Sequence, residues 1–234
     1  MVWKKRKGYL ECFFCFFVFF MVLIAWMIMF HVEKDSSFSA QGIGSMKYFT
    51  VLSNLFVAIT FFILGFLNFV SLIVKRKIHI PLSIYVIHYC AIVSVSITGA
   101  VVLFILSPML AYIGKGYFSM LKGENFILHF LSPIVSVVLF LFFFEDYRIR
   151  FSHVFMPWIP FSGYVIFYLL NYRFHFVSAV LVTGEEGYDW YSFLSSGYPF
   201  CLLWLFPVSY LFVFALSLAL FLYRKHREKA PSRS

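Results

Sequence analysis

The sequence predicts an all-α, polytopic membrane protein with six transmembrane helices and both termini in the cytoplasm. The composition gives the class: 62% of the residues are hydrophobic and only 12% are charged, whereas about a quarter of the residues in soluble domains are charged. Several uncharged runs approach or exceed the roughly 20 residues that cross a bilayer as a helix. Because backbone polar groups in lipid must pair within their own segment, these runs predict helices.

Each predicted helix is one long apolar run. The six runs are Glu11 to Val32, Tyr48 to Val74, Pro81 to Leu106, Phe126 to Phe144, Val154 to Asn171 and Tyr198 to Tyr223. The first run follows the basic stretch Lys4 to Lys7 and is longer than the apolar region of a usual signal peptide, so we interpret it as a retained helix.

Cys12 and Cys15, within the first run, have the C-x-x-C spacing of a redox or metal pair. No second Cys or His pair accompanies them, and we interpret both as small apolar residues that pack against other helices. A zinc site needs three or four converging ligands. We therefore predict no metal site and no cofactor.

Basic residues orient the chain. Most of the 19 Lys and Arg residues lie before the first helix, in the second and fourth connections, and after the sixth helix. This bias places those segments in the cytoplasm and the longer connections, Glu33 to Lys47, Ser107 to Asn125 and Arg173 to Gly197, outside. The formal charge of +9 thus orients a protein in lipid, and we predict no nucleic-acid partner.

The chain is predicted to be a single six-helix domain. We identify no internal repeat and no linker, so residues 1–224 form the transmembrane domain and residues 225–234 form a basic cytoplasmic tail. Such a tail is attracted to anionic lipid. The expected partners are membrane lipids, and the sequence indicates no oligomeric state.

Polar residues in the first turns of the second helix are the first candidate site. Thr50, Ser53 and Asn54 stand at i, i+3 and i+4, so they share one helix face, which must look inward in a lipid-embedded helix. A hydroxyl on this face is a candidate nucleophile, and Ser53 or Asn54 are candidates to contact substrate or a developing oxyanion. The alternative is packing, because Ser and Thr bond their own helix and Asn joins helices.

His129, at the start of the fourth predicted helix, is the second candidate. An ionisable residue within a span is a functional hypothesis by default, and an imidazole suits a general base. Pro133 has no N–H for the carbonyl of residue 129 and is expected to bend the helix there. Thr50 and His129 both lie within about one turn of the outer interface, so they are at matching depth. Contact further requires that the second and fourth helices be neighbours.

Four short motifs occur in an order that is similar to a known family. They are Lys47-Tyr48-Phe49-Thr50, His129 with Pro133 one turn later, Val182-Thr183-Gly184, and Trp190-Tyr191-Ser192-Phe193-Leu194. This order resembles the androgen-induced (AIG/ADTRP, FAR-type) membrane threonine hydrolase family, and Tyr48 to Leu55 matches the Tyr-Phe-Thr-x-x-Ser-Asn-Leu run of its bacterial branch. Ser192 stands where family members usually have proline.

The resemblance implies a membrane-embedded hydrolase of lipid esters, similar to hydrolases of fatty-acid esters of hydroxy fatty acids, in the bacterial cell membrane. Thr50 would be the nucleophile and His129 its base, near the extracytoplasmic face. Trp190 and Tyr191 are a candidate lid, although interfacial aromatic residues also anchor helices. Two alternatives stay open: an acyltransferase that uses the same residues, and a lipid-binding or transport protein without chemistry. A scaffold role is a further alternative.

Overall fold

The computed structural model describes residues 2–31, 42–76, 78–112, 114, 116–143, 149–174 and 199–229. Over this part the chain is helical, and six helices are long and apolar enough to cross a membrane. They are α1 (Val2–His31), α2 (Phe49–Val74), α3 (Leu82–Tyr112), α4 (Glu124–Phe142), α5 (Trp158–Phe174) and α6 (Pro199–Lys229). The predicted all-α class with six spans is confirmed, and the orientation in the membrane stays a prediction.

Three helices are longer than the sequence predicted. Helix α1 begins at Val2, nine residues before the predicted start at Glu11. Helix α3 continues past Leu106 to Tyr112, so the predicted outer connection begins as helix. Helix α6 continues past Tyr223 to Lys229, so the predicted tail also begins as helix. In α1 and α6 the end of the apolar run marks the end of the lipid-facing segment, but Lys, Arg and Glu are good helix formers and do not end the helix itself. In α3 the helix continues through Ser107 and Pro108 by way of a π-turn at Val102–Leu106.

Helix α3 is the central helix of the bundle. Of its span, 61% is buried within the protein, against 17% for α5 and for α6. It packs against α2, α4 and α6, and the core around it contains Tyr89, Ile92, Phe61 and Phe140. A helix surrounded by other helices brings polar groups together away from lipid, so this position matters for the site.

Helices α1 and α2 cross closely at Gly65. A Cβ atom at this position would lie 2.8 Å from the Cβ of Cys15, and the Cys12 thiol donates a hydrogen bond to the Gly65 carbonyl at 3.6 Å. Cys12 and Cys15 are both buried and neither forms a disulfide. Cys12 and Cys15 are therefore packing residues between α1 and α2.

The C-terminal part of α3 and the N-terminal part of α4 each contain one wider turn of π-helix, at Val102–Leu106 and Ile127–Leu131. Both turns end on the leucine of the same tripeptide, Leu-Ser-Pro, at residues 106–108 and 131–133. This is a short repeat that the sequence analysis did not identify. The bend expected at His129 takes the form of a π-turn, a feature that occurs frequently at functional sites.

Candidate active site

Thr50 lies in the first turn of α2 and is half-buried. Its carbonyl oxygen accepts two side-chain hydrogen bonds, from the Ser53 hydroxyl at 3.0 Å and from the Asn54 amide at 2.8 Å. The first turn of an α-helix has no preceding α-helical turn to pack and bond against. Tyr48, the residue before α2, also provides no side-chain cap. These two bonds therefore fix the turn that carries the Thr50 hydroxyl.

Ser53 joins α2 to the central helix. Its hydroxyl is 2.8 Å from the hydroxyl of Thr98 on α3, and both side chains are buried. A hydroxyl has one proton, and Ser53 already donates to the Thr50 carbonyl. The two bonds exist together only with Thr98 as the donor of the shared bond, and the Ser53 proton is then not directed at a ligand.

Asn54 connects α2 to α4. Its amide nitrogen lies 2.9 Å from the carbonyl oxygen of Leu128, the residue before His129, in addition to 2.8 Å from the Thr50 carbonyl. Because one nitrogen serves both, the two carbonyl oxygens are within about 6 Å of each other. Helices α2 and α4 are thus neighbours, which was the open condition for a site shared by Thr50 and His129.

The two bonds also fix what Asn54 can offer a ligand. Two carbonyl acceptors require the amide nitrogen, and not its oxygen, to face them, so the assignment of the two amide atoms is unambiguous. Both N–H bonds are then used and none remains for an oxyanion. The amide oxygen is buried without a hydrogen-bond partner in the described part of the chain, so Asn54 can accept from a ligand but not donate to it.

His129 lies in the middle of the π-turn of α4 and is 8% exposed. Its Nδ1 atom is buried and, within the described ranges, has no hydrogen-bond partner. Its backbone is held from the other side by α3, since a Cβ at Gly99 would lie 2.8 Å from Pro133 and 3.5 Å from the His129 carbonyl. The imidazole is therefore positioned by close packing, with one nitrogen left free to bind.

Further unsatisfied polar atoms lie on the same face of α4. Ser132 and Ser136 stand at i+3 and i+7 from His129, both are fully buried, and neither hydroxyl has a hydrogen-bond partner among the residues described. Buried polar groups are nearly always satisfied, and exceptions call for a functional explanation. Together with Asn54 Oδ1 and His129 Nδ1 they form a small set of free polar atoms along the interface that α4 buries.

No hydrogen bond joins the Thr50 hydroxyl to the His129 ring in the parts of the chain that are described. The Thr–His pair that is hydrogen-bonded is Thr60 and His88, with 2.8 Å between Oγ1 and Nδ1. The Thr60 hydroxyl is also within hydrogen-bond distance of the Val57 carbonyl, at 2.9 Å. The two bonds exist together only when the imidazole donates to the hydroxyl, and it then does not activate it. With both side chains buried in the core, this pair joins α2 to α3.

The spacing of polar residues in the sequence marks both members of this second pair as inward-facing, but it does not specify that they meet. Thr60 follows Ser53 by seven residues on α2, and His88 precedes Thr98 by ten on α3, so the two positions of each pair lie within about a quarter turn of each other around their helix. In two antiparallel helices, the polar residue nearer the start of one helix lies opposite the polar residue nearer the end of the other. The contacts Ser53–Thr98 and Thr60–His88 follow this rule.

A cavity of about 340 Å³ lies between α2, α3 and α5. Its lining is aromatic and aliphatic apart from two serines, and comprises Phe49, Leu52, Ser53, Phe56, Ser94, Pro160, Gly163, Tyr164 and Phe167. Its volume is at the lower end of the range for ligand pockets, about 300–1,000 Å³, and its composition is typical of them. Of the predicted site residues that the structure describes, Ser53 lines this cavity, whereas Thr50, Asn54 and His129 do not.

Trp190 and Tyr191, the predicted lid, lie outside the described residues, as do the motifs at 182–184 and 190–194. No group of three or more His, Cys, Asp and Glu side chains that could hold a metal is found among the residues that were searched; the absence of a cofactor stays a prediction. Comparisons with protein-family models, with curated proteins and with solved structures gave no significant match.

Proposed function

We propose that this chain is a membrane-embedded hydrolase of lipid esters, with Thr50 as the nucleophile and His129 as the base. The observation that carries the proposal is the Asn54 amide, which bonds the carbonyls of Thr50 and Leu128 at 2.8 and 2.9 Å. It joins the turn that carries the hydroxyl to the turn that carries the imidazole. The order of motifs that resembles the AIG/ADTRP family supports the same two residues.

In the proposed reaction His129 accepts the proton of the Thr50 hydroxyl as its oxygen attacks the ester carbonyl. The tetrahedral intermediate collapses, the C–O bond to the alcohol breaks, and the imidazolium returns the proton to the leaving alkoxide. Water, activated by the same imidazole, then hydrolyses the acyl-threonine and restores both groups. A threonine hydroxyl is a weak nucleophile, so the two side chains must approach to about 2.6–3.2 Å when substrate binds, and such bonds are often longer without it.

The acyl chain of the substrate would occupy the cavity between α2, α3 and α5. The cavity wall includes Phe49, the residue next to Thr50, and Ser53, whose hydroxyl bonds the Thr50 carbonyl. A chain in this cavity therefore runs along the α2 turn that carries the proposed nucleophile. We further propose, from the distribution of Lys and Arg, that this end of the bundle lies near the extracytoplasmic face of a bacterial cell membrane.

A lipid-binding or transport protein without chemistry is the second candidate. It is favoured by two observations: Thr50 and His129 share no hydrogen bond in the described part of the protein, and neither lines the cavity. In this function the free polar atoms of Asn54 and His129 would hold a lipid head group. Hydrolysis and acyl transfer, by contrast, both require that the Thr50 hydroxyl become acylated.

The test compares Thr50→Ala, His129→Ala and Thr60→Val, purified in detergent, with lipid esters and with a fluorophosphonate probe. Thr60→Val is the matched control, since it removes a threonine hydroxyl that is hydrogen-bonded to a histidine outside the proposed site. We expect turnover and labelling to be lost in the first two variants, with folding retained, and kept in the third. Release of free fatty acid identifies water as the acyl acceptor, whereas an acylated lipid product indicates acyl transfer.

Retained turnover in Thr50→Ala or His129→Ala rejects the catalytic pair. No turnover in the wild-type protein, together with saturable binding of lipid that depends on His129, favours the lipid-binding function. Loss of turnover in Thr60→Val alone would move the assignment to Thr60 and His88.

A further inference from the structure

The carbonyl of Leu128 has no hydrogen-bond donor within its own helix. In an α-helix the donor would be the N–H of Ser132, but in the π-turn that group donates to the Ile127 carbonyl. The next N–H along the chain belongs to residue 133, which is proline and has none. Since Leu128 is 1% exposed, no water competes for this acceptor, and the Asn54 amide supplies the donor at 2.9 Å.

The same arrangement occurs in α3, with a different donor. The N–H of Ser107 donates to the Val102 carbonyl, residue 108 is proline, and the Leu103 carbonyl accepts a hydrogen bond from the Tyr117 hydroxyl at 2.6 Å. Two independent π-turns before Leu-Ser-Pro thus each have a side chain from outside the turn on the carbonyl five residues before the proline. This recurrence indicates that the carbonyl requires a donor, and that Asn54 is the donor for the turn of His129.

We propose that Asn54 is a positioning residue, which holds the His129 π-turn in register with the first turn of α2. The catalytic role of Asn54 rests on the proposed function, whereas its hydrogen bond to the Leu128 carbonyl is independent of that function. Asn54 would touch neither substrate nor the reacting atoms through its N–H groups, because both are directed at the carbonyls of Thr50 and Leu128. Without it the two turns lose their shared donor, and the imidazole loses its alignment with the hydroxyl.

The variants are Asn54→Ala, which removes the donor, and Asn54→Asp, which keeps the shape but presents a carboxylate to two carbonyls. We expect turnover (kcat) to fall about 100-fold, the effect of a misplacement of about 1 Å, while KM changes little because the cavity is untouched. The matched control is Tyr117→Phe, which removes the equivalent donor from α3. It is expected to leave kcat unchanged.

Rescue separates positioning from general packing. Pro133→Ala introduces an N–H five residues after Leu128, where a π-turn can use it. We therefore expect the double variant Asn54→Ala/Pro133→Ala to recover turnover relative to Asn54→Ala. If Asn54→Ala does not fold, a folded and active double variant supports the proposal, and a double variant that also fails to fold overturns it.

A structural measurement keeps this test independent of the enzyme assay. The imidazole NMR signal of His129, assigned by its loss in His129→Ala, is expected to move in Asn54→Ala and to stay in place in Tyr117→Phe. Wild-type turnover in both Asn54 variants, or an unmoved His129 signal, overturns the inference. If the wild-type protein hydrolyses no ester but the signal moves, the proposed function fails and the positioning of His129 by Asn54 stands.

Discussion

Substitution of Gly99 by alanine is expected to displace His129 from its position. Gly99 lies on α3 where this helix touches the π-turn of α4. A Cβ there would lie 2.8 Å from the Cβ of Pro133, 3.1 Å from its Cγ and 3.5 Å from the His129 carbonyl. Carbon atoms in ordinary contact are about 3.5–4.0 Å apart, so the two backbones must separate by up to about 1 Å.

The expected magnitude follows from two opposing effects. Over-packing of this size costs about 1–3 kcal/mol, and alanine in place of glycine gains about 1 kcal/mol of helix propensity. The free energy of unfolding is therefore expected to fall by roughly 0–2 kcal/mol. The effect on catalysis is expected to be larger, about 100-fold in kcat, because the displaced turn carries the proposed base.

Gly65→Ala is the matched control. Its new Cβ would lie 2.8 Å from the Cβ of Cys15, so the clash is equally close and the gain in helix propensity is the same. This contact joins α1 to α2, away from His129. The assay measures unfolding in detergent and ester turnover for both variants. Wild-type turnover in Gly99→Ala, or an equal loss of turnover in Gly65→Ala, would refute the reasoning.

Two further predictions concern the cavity and the N-terminal end of α2. The leucine side chain of Gly163→Leu would project into open space, since a Cβ there meets no atom within 4 Å. It should fill part of the cavity and reduce the turnover of long-chain esters more than that of short-chain esters. An unchanged dependence of turnover on chain length would contradict an acyl-chain site. Burial lowers the pKa of the Lys47 ammonium, so in this pH range the unfolded chain binds more protons than the folded protein. The free energy of unfolding should therefore rise as the pH approaches the ordinary lysine pKa of about 10.4. This rise should be smaller in Lys47→Met, and equal rises in both proteins would argue against a buried ammonium. Tyr48, whose pKa is raised by burial, acts in the opposite direction above about pH 9, because the unfolded chain loses this proton first, and it does so equally in both proteins.

The fold could be predicted from the sequence because a long apolar run in hydrocarbon satisfies its backbone hydrogen bonds by forming a helix. Six such runs gave six helices, and the start of α2 was predicted to within one residue of Phe49. The start of α1 and the end of α6 could not be predicted, because hydropathy detects where lipid contact stops and not where helical hydrogen bonding stops. The end of α3 was missed because a π-turn carries this helix through Ser107 and Pro108. The π-turns were also missed, although the repeated Leu-Ser-Pro tripeptide was visible.

The candidate site was predicted only in part. The inward face of Thr50, Ser53 and Asn54 follows from helical spacing, and Ser53 and Asn54 both bond a neighbouring helix. Their partners, Thr98 on α3 and the Leu128 carbonyl on α4, could not be predicted, since spacing along one helix does not specify what lies opposite. For the same reason the hydrogen-bonded pair of Thr60 and His88 was not anticipated.

The sequence by itself determined which residues are polar inside the membrane and which face of its helix each occupies. These properties depend on residue type and on a fixed helical period, and both are local. Only the tertiary structure decided that α2 lies against α4, that one amide satisfies the carbonyls of Thr50 and Leu128, and that Asn54 has no N–H left for a substrate. Such facts depend on which helices are neighbours and on which donors are already used, and the side chains of all the packed helices set them together.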